Sequence, residues 1–191
     1  MVLLVLRQDQ DERHGCRASD QRVRGMDSLP VYLLAGGRSS RFGSDKARAD
    51  AGGKPLLLRV AESVASRAEA VSAVADRAGK YDDLGIRTIA DPAPGLGPIG
   101  GLLAALDDLR EKRWFVLLSC DWLGIEAAWL DLLAARARPG LRAVAFRHAH
   151  WEPLLALYHP SIRPAVERQV RAGDRAMWRL LEASRAIAVP V

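Results

Sequence analysis

Short, largely apolar runs alternate along this chain with stretches of helical periodicity. The clearest runs are 30–35, 70–75, 86–90 and 114–120. A strand that is apolar at every position is buried on both faces, as parallel strands covered by helices are. Between the runs, Leu57, Val60, Ala61, Val64 and Ala68 follow helical spacing. Ile99, Leu102, Leu103, Leu106 and Leu109 do the same and predict a helix starting near Pro98. Further along, 126–136 reads as a helix, 141–146 and 153–158 as strands, and 161–172 as a helix closed by Gly173. Residues 175–183 read as a last helix and 186–190 as a last short strand. This alternation specifies an α/β fold of three layers, a mostly parallel sheet with helices on both faces. Ligands of such sheets sit at the carboxyl ends of the strands, which directs attention to the loops after Ala35, Ala90 and Cys120.

The first 25 residues have a different texture. After a short apolar start they are polar, mixed in charge and without period, a composition that cannot offset the entropy of ordering. They read as a flexible extension, with residues 26–191 forming a single domain. The net charge of +5 is spread along the chain rather than gathered in a stripe, so a nucleic-acid partner is not expected. No apolar run approaches the roughly 18 residues of a membrane span, and Met1–Leu6 is too short for a secretion signal. The two cysteines, Cys16 and Cys120, form no disulfide framework, which fits a reducing cytoplasm. The chain has no asparagine, and its lysines stand only at 46, 54, 80 and 112, so a lysine here is an uncommon choice.

The first apolar run enters Leu34-Ala-Gly-Gly-Arg-Ser-Ser-Arg-Phe-Gly-Ser-Asp-Lys-Ala47. Gly36 and Gly37 let backbone N–H groups approach a ligand closely, and successive N–H groups in such a turn form an anion nest. Arg38, Arg41 and Lys46 add the positive charge that phosphates require. The glycine spacing is neither that of a Walker P-loop nor the dinucleotide fingerprint.

This loop resembles the signature of nucleotidyltransferases that activate small molecules with a nucleoside triphosphate. Its double glycine is similar to the molybdenum cofactor guanylyltransferase family. Gly53-Lys-Pro-Leu56, Asp91, Gly97-Pro-Ile-Gly-Gly-Leu102, Cys120-Asp121 and Glu152-Pro-Leu-Leu-Ala-Leu-Tyr-His-Pro-Ser161 extend the resemblance over about residues 30–185. It implies a Rossmann-like fold of the nucleotide-diphospho-sugar transferase type, with a C-terminus shortened relative to the family. It also implies transfer of GMP from GTP to molybdenum–molybdopterin cofactor, with Mg²⁺ and release of pyrophosphate. Lys46, Asp121 and Arg41 would be catalytic, and Asp121 would hold the metal. Leu34, Ala35, Gly36, Gly37, Lys46, Asp76, Asp91, Gly97, Gly100 and Gly101 would bind the nucleotide. Transient contact with cofactor-delivery or acceptor proteins is a further expectation. The same chemistry on CTP or a sugar phosphate is the alternative, as is a non-catalytic paralogue that binds nucleotide or cofactor.

Plainer roles compete for several of these residues. Asp121 could cap a helix that starts near Glu126. Gly97, Gly100 and Gly101 could serve close packing of a helix on the sheet. Cys120 reads as a small buried residue rather than a catalytic thiol. His148 and His150, spaced i and i+2 on an expected strand, read as a surface pair, because no third ligand accompanies them. Among the tryptophans, Trp151 beside Glu152-Pro153 is the candidate for contact with an acceptor.

Overall fold

β1 (Leu29–Leu34) is buried at every position but one. It can be so only at the centre of a covered sheet. The computed structural model describes residues 26–36, 45–93 and 95–190. The predicted N-terminal extension lies outside the described residues. After β1 come α1 (Leu56–Val64), β2 (Ala68–Ala75), β3 (Arg87–Ala90), α2 (Pro98–Asp108) and β4 (Phe115–Ser119). Then follow α3 (Ala127–Ala134), β5 (Ala143–Arg147), β6 (Trp151–Tyr158), α4 (Arg163–Arg171), α5 (Met177–Ala183) and β7 (Ile187–Pro190).

The seven strands form one sheet in the order β3-β2-β1-β4-β6-β5-β7. All pairings are parallel except those of β6, which runs antiparallel to both β4 and β5. Alternate strand residues feed two separate cores. Val116 and Leu118 of β4 pack with Leu57, Val60 and Val64 of α1 and with Leu130 and Leu133 of α3. Phe115 and Leu117 point the other way and share a core with Ile99 and Leu102 of α2, Val166 of α4, and Leu180 and Leu181 of α5. The expected three layers are therefore present. Each fully buried leucine contributes on the order of 2 kcal/mol by leaving water.

Two boundaries differ from the sequence reading. Ala68 continues the helical spacing of α1 yet begins β2, because its backbone is extended and pairs with Leu29. The tertiary pairing overrides the local period, and a short 3-10 turn, Ala65–Arg67, absorbs the change. His148 and His150 are not on a strand: they occupy the exposed turn between β5 and β6, where the His148 N–H donates to the His150 carbonyl. Among the described residues, no group of three or more His, Cys, Asp or Glu is placed to hold a metal. None of the described helices is long and apolar enough to cross a membrane.

The strand order places a switch point beside β1. The chain steps outward from β1 to β2 and β3, then returns to lay β4 on the other edge of β1. Connections diverge at such a point and leave a crevice at the carboxyl ends of the two strands.

Candidate active site

Leu34 and Ser119 are register partners at the ends of β1 and β4, and the Cys120 N–H donates to the Leu34 carbonyl at 3.2 Å. Ala35–Gly36 and Asp121 thus leave the sheet side by side. On the other flank, the Ala35 N–H donates to Val74 at 3.0 Å and the Asp91 N–H to Ala75 at 2.7 Å. Gly36, Asp76, Asp91 and Asp121 therefore stand at one end of four adjacent strands. Gly37 and Arg41 lie outside the described residues.

Lys46 and Asp121 meet across this crevice. Lys46 opens a short 3-10 turn, Lys46–Arg48, capped by the Asp45 carboxylate, which accepts from the Ala47 N–H. The Lys46 Nζ donates to Asp121 Oδ2 at 2.6 Å. Both side chains are about half exposed, at 55% and 50%, so an arriving ligand can reach them. Asp121 does not cap a helix: α3 begins after Glu126, with no side-chain capping bond. The turn that carries Asp121 is pinned instead by Trp122, whose ring packs edge-on against Trp129, itself against Phe146.

The residues expected on the nucleotide side fall into two groups. Asp91 Oδ1 accepts from the Ala93 N–H at 2.8 Å, and the Asp91 carboxylate rests on the first turn of α2. A Cβ on Gly100 would come within 2.8 Å of both carboxylate oxygens. A Cβ on Gly101 would collide with the Leu34 Cδ2. Gly97 precedes α2 with φ of +70°, a conformation glycine adopts without strain. Close packing thus accounts for Gly101, whereas Gly100 makes room for a carboxylate facing the crevice. Asp76 is mostly exposed, and its carboxyl is held below the usual range by the Lys80 ammonium, 2.7 Å away. The Leu34 side chain belongs to the core, leaving its backbone at the crevice floor.

Cys120 is buried, and burial followed by the neighbouring Asp121 charge pushes its thiol up to about 12. With its thiol raised, it is held almost wholly protonated near neutral pH, which suits a packing residue. Trp151 begins β6 at the same end of the sheet. The Arg147 guanidinium covers its ring at 4.9 Å, and its indole N–H is buried without a partner among the described residues. A cavity of about 440 Å³ opens at the opposite end, between Met26, Trp114, Leu141 and Arg142, and holds none of these residues.

Sequence reasoning missed Tyr81, Lys80 and Asp45 as a group. The Tyr81 hydroxyl lies 3.2 Å from the Ala35 carbonyl oxygen and 3.0 Å from each Asp45 carboxylate oxygen. Lys80 is 3.4 Å from Asp45 as well as bonded to Asp76. The one available signal was an aromatic with a polar handle isolated in a charged turn, Lys80-Tyr81-Asp82.

One of the crystal structures with this fold is molybdopterin-guanine dinucleotide biosynthesis protein A from Archaeoglobus fulgidus. It matches with a TM-score of 0.72 and 27% identity over 85% of this chain and 84% of its own. A protein from Aquifex aeolicus matches with a TM-score of 0.74 at 24% identity, over 88% and 89% of the two chains, which speaks for the fold alone. A probable molybdenum cofactor guanylyltransferase of Deinococcus radiodurans is 38% identical over 164 residues, 84% of this chain and 83% of that protein. Another from Opitutus terrae is 35% identical over 173 residues, 85% of each chain. The model of the MobA-like NTP transferase domain matches residues 31–188, nearly the whole of the described structure. By both measures, the chain belongs to the MobA-like NTP transferase family.

Proposed function

We propose that this nucleotidyltransferase moves GMP from GTP to molybdenum–molybdopterin cofactor and releases pyrophosphate. The observation that carries the reading is the pairing of Lys46 with Asp121 across the β1/β4 switch point, at 2.6 Å. It joins a phosphate-type cation to a metal-type carboxylate where a ligand of this fold binds.

In the transfer, a phosphate oxygen of the acceptor forms a bond to the α-phosphorus of GTP. The bond from that phosphorus to the bridging oxygen breaks, and pyrophosphate leaves with the electron pair. The protein's work is to bring two polyanions together and to offset their charge. Lys46 binds the triphosphate and stabilises charge on the departing pyrophosphate, with Arg41 adding positive charge. The backbone of Leu34, Ala35, Gly36 and Gly37 meets the phosphates and base. Asp76, Asp91, Gly97, Gly100 and Gly101 shape the nucleoside pocket. Guanine offers N–H donors on its pairing edge, which suit the acceptor oxygens of Asp76 and Asp91.

The donor set fits Mg²⁺, which takes one or two carboxylates and fills its remaining positions with water and phosphate oxygens. Asp121, exposed and beside the cation for the phosphates, is the residue that would hold it. The ion would there polarise the phosphate oxygens. Contact with cofactor-delivery or acceptor proteins, and a cytoplasmic location, belong to the same reading.

The test is calorimetry of GTP, CTP, ATP and UTP with Mg²⁺, followed by pyrophosphate release in the presence of the pterin. Preferred binding of GTP with turnover supports the proposal. A CTP preference moves the chain to cytidylyl transfer, and GTP binding without turnover makes it a non-catalytic paralogue.

A further inference from the structure

The glycine-rich loop starts from Ala35 and returns to described structure at Asp45. One side chain from outside the loop touches both of its ends. The Tyr81 hydroxyl lies 3.2 Å from the Ala35 carbonyl oxygen and 3.0 Å from each oxygen of Asp45. Its single proton is shared among these acceptors. The hydroxyl is itself held from below. The residue is fully buried among the side chains beneath α1, and its N–H donates to the Thr88 hydroxyl at 3.0 Å. The core, not the loop, sets where the hydroxyl stands.

The contacts continue toward Lys46. Asp45, held by Tyr81 and with the Lys80 ammonium at 3.4 Å, accepts from the Ala47 N–H at 3.1 Å. That bond caps the Lys46–Arg48 turn, and Lys46 is its first residue. From there Nζ reaches Asp121 at 2.6 Å. We infer that Tyr81 is a positioning residue for nucleotide transfer: through Asp45 it fixes the backbone that aims Lys46 across the crevice. The inference rests on the reading that Lys46 binds the triphosphate. Burial, and then the bond to Asp45, push the Tyr81 hydroxyl up to about 12, so it remains a donor throughout the neutral range. A hydrogen bond to a charged carboxylate is worth roughly tenfold or more in an equilibrium constant.

Tyr81→Phe keeps the buried ring and deletes the hydroxyl. Calorimetry of Mg²⁺–GTP on the full chain compares wild type, Tyr81→Phe, Lys46→Ala and the double variant. Tyr81→Phe should weaken binding about tenfold, and it should cost less than about twofold once Lys46 is gone. Unchanged affinity in Tyr81→Phe overturns the inference. So does an equal loss in both backgrounds, which marks a structural role independent of Lys46. If Lys46→Ala itself binds like wild type, the phosphate reading fails first and is identified as the failure. The four lysines allow a second readout by carbon-13 NMR of lysine side chains. In Tyr81→Phe the Lys46 signal should move while those of Lys54 and Lys112 stay, and a stationary Lys46 signal refutes the inference. Asp45→Ala leaves the core untouched and removes the acceptor of both the Tyr81 hydroxyl and the Ala47 N–H. It should shift the same Lys46 signal even if Tyr81→Phe folds poorly, and a stationary signal there overturns the inference.

Discussion

Lys46 and Asp121 are seventy-five positions apart in sequence, yet their side chains meet at 2.6 Å. The contact exists because β1 and β4 are neighbours in register, so the segments beyond their ends converge. Each group neutralises the other, and a substrate carrying both phosphate and metal can take the place of each partner at once.

Lys46→Ala should lower the affinity for Mg²⁺–GTP by about tenfold to a hundredfold, the scale of a lost charge-assisted bond. The pair is half exposed, and pairs of this kind contribute roughly 0–1 kcal/mol to folding. The thermal midpoint should therefore move by only a few degrees. Calorimetry and thermal unfolding on one preparation separate the two effects.

Asp121→Asn preserves shape and removes the charge. Metal-dependent pyrophosphate release should fall by about a hundredfold or more, with the fold intact by circular dichroism. Activity near that of the wild type at ordinary Mg²⁺ concentrations would show that the metal is held elsewhere.

The two glycines that open α2 should fail in different ways. In Gly101→Ala the new methyl meets the core side chain of Leu34, an overpacking that costs about 1–3 kcal/mol and lowers the melting temperature. In Gly100→Ala the methyl meets the carboxylate of Asp91, the end of a side chain that can turn aside, and sits 3.1 Å from the Ala93 carbonyl oxygen, which need give only slightly. There GTP binding should suffer more than stability. Denaturant titration beside nucleotide titration tests the contrast, and equal stability losses would count against it.

Cys120, with its thiol raised to about 12, should resist alkylation by iodoacetamide in the native protein from pH 6 to pH 9. Its thiolate fraction grows only as pH approaches that value. Peptide mass mapping reads the modification, and Cys120→Ala should keep most of the transferase activity. Rapid alkylation of the folded protein would show that the thiol is neither buried nor protonated.

The layered fold was legible because strands buried on both faces leave an unbroken apolar signature, as in 114–118, and helices leave a period. Ala68 was misread because pairing with Leu29, distant in sequence, outweighs a local spacing that it also satisfies. The reversal of β6 was equally invisible, since Leu154 to Tyr158 look the same in either direction. Lys46, Asp91 and Asp121 carried a motif and could be named. Tyr81 carried none: its place depends on the fold bringing the turn after β2 under both ends of the glycine-rich loop.

The reversed strand divides this end of the sheet by the chain direction of its parts. On one side, every group comes from a segment that follows a parallel strand. On the other, Trp151 and Glu152 come from the start of β6, just beyond the exposed 148–150 turn. Lengthening or recolouring that hairpin would remodel one wall while β1 and β4 keep their register. A fold built this way can vary that end of the sheet without disturbing the register that brings Lys46 to Asp121.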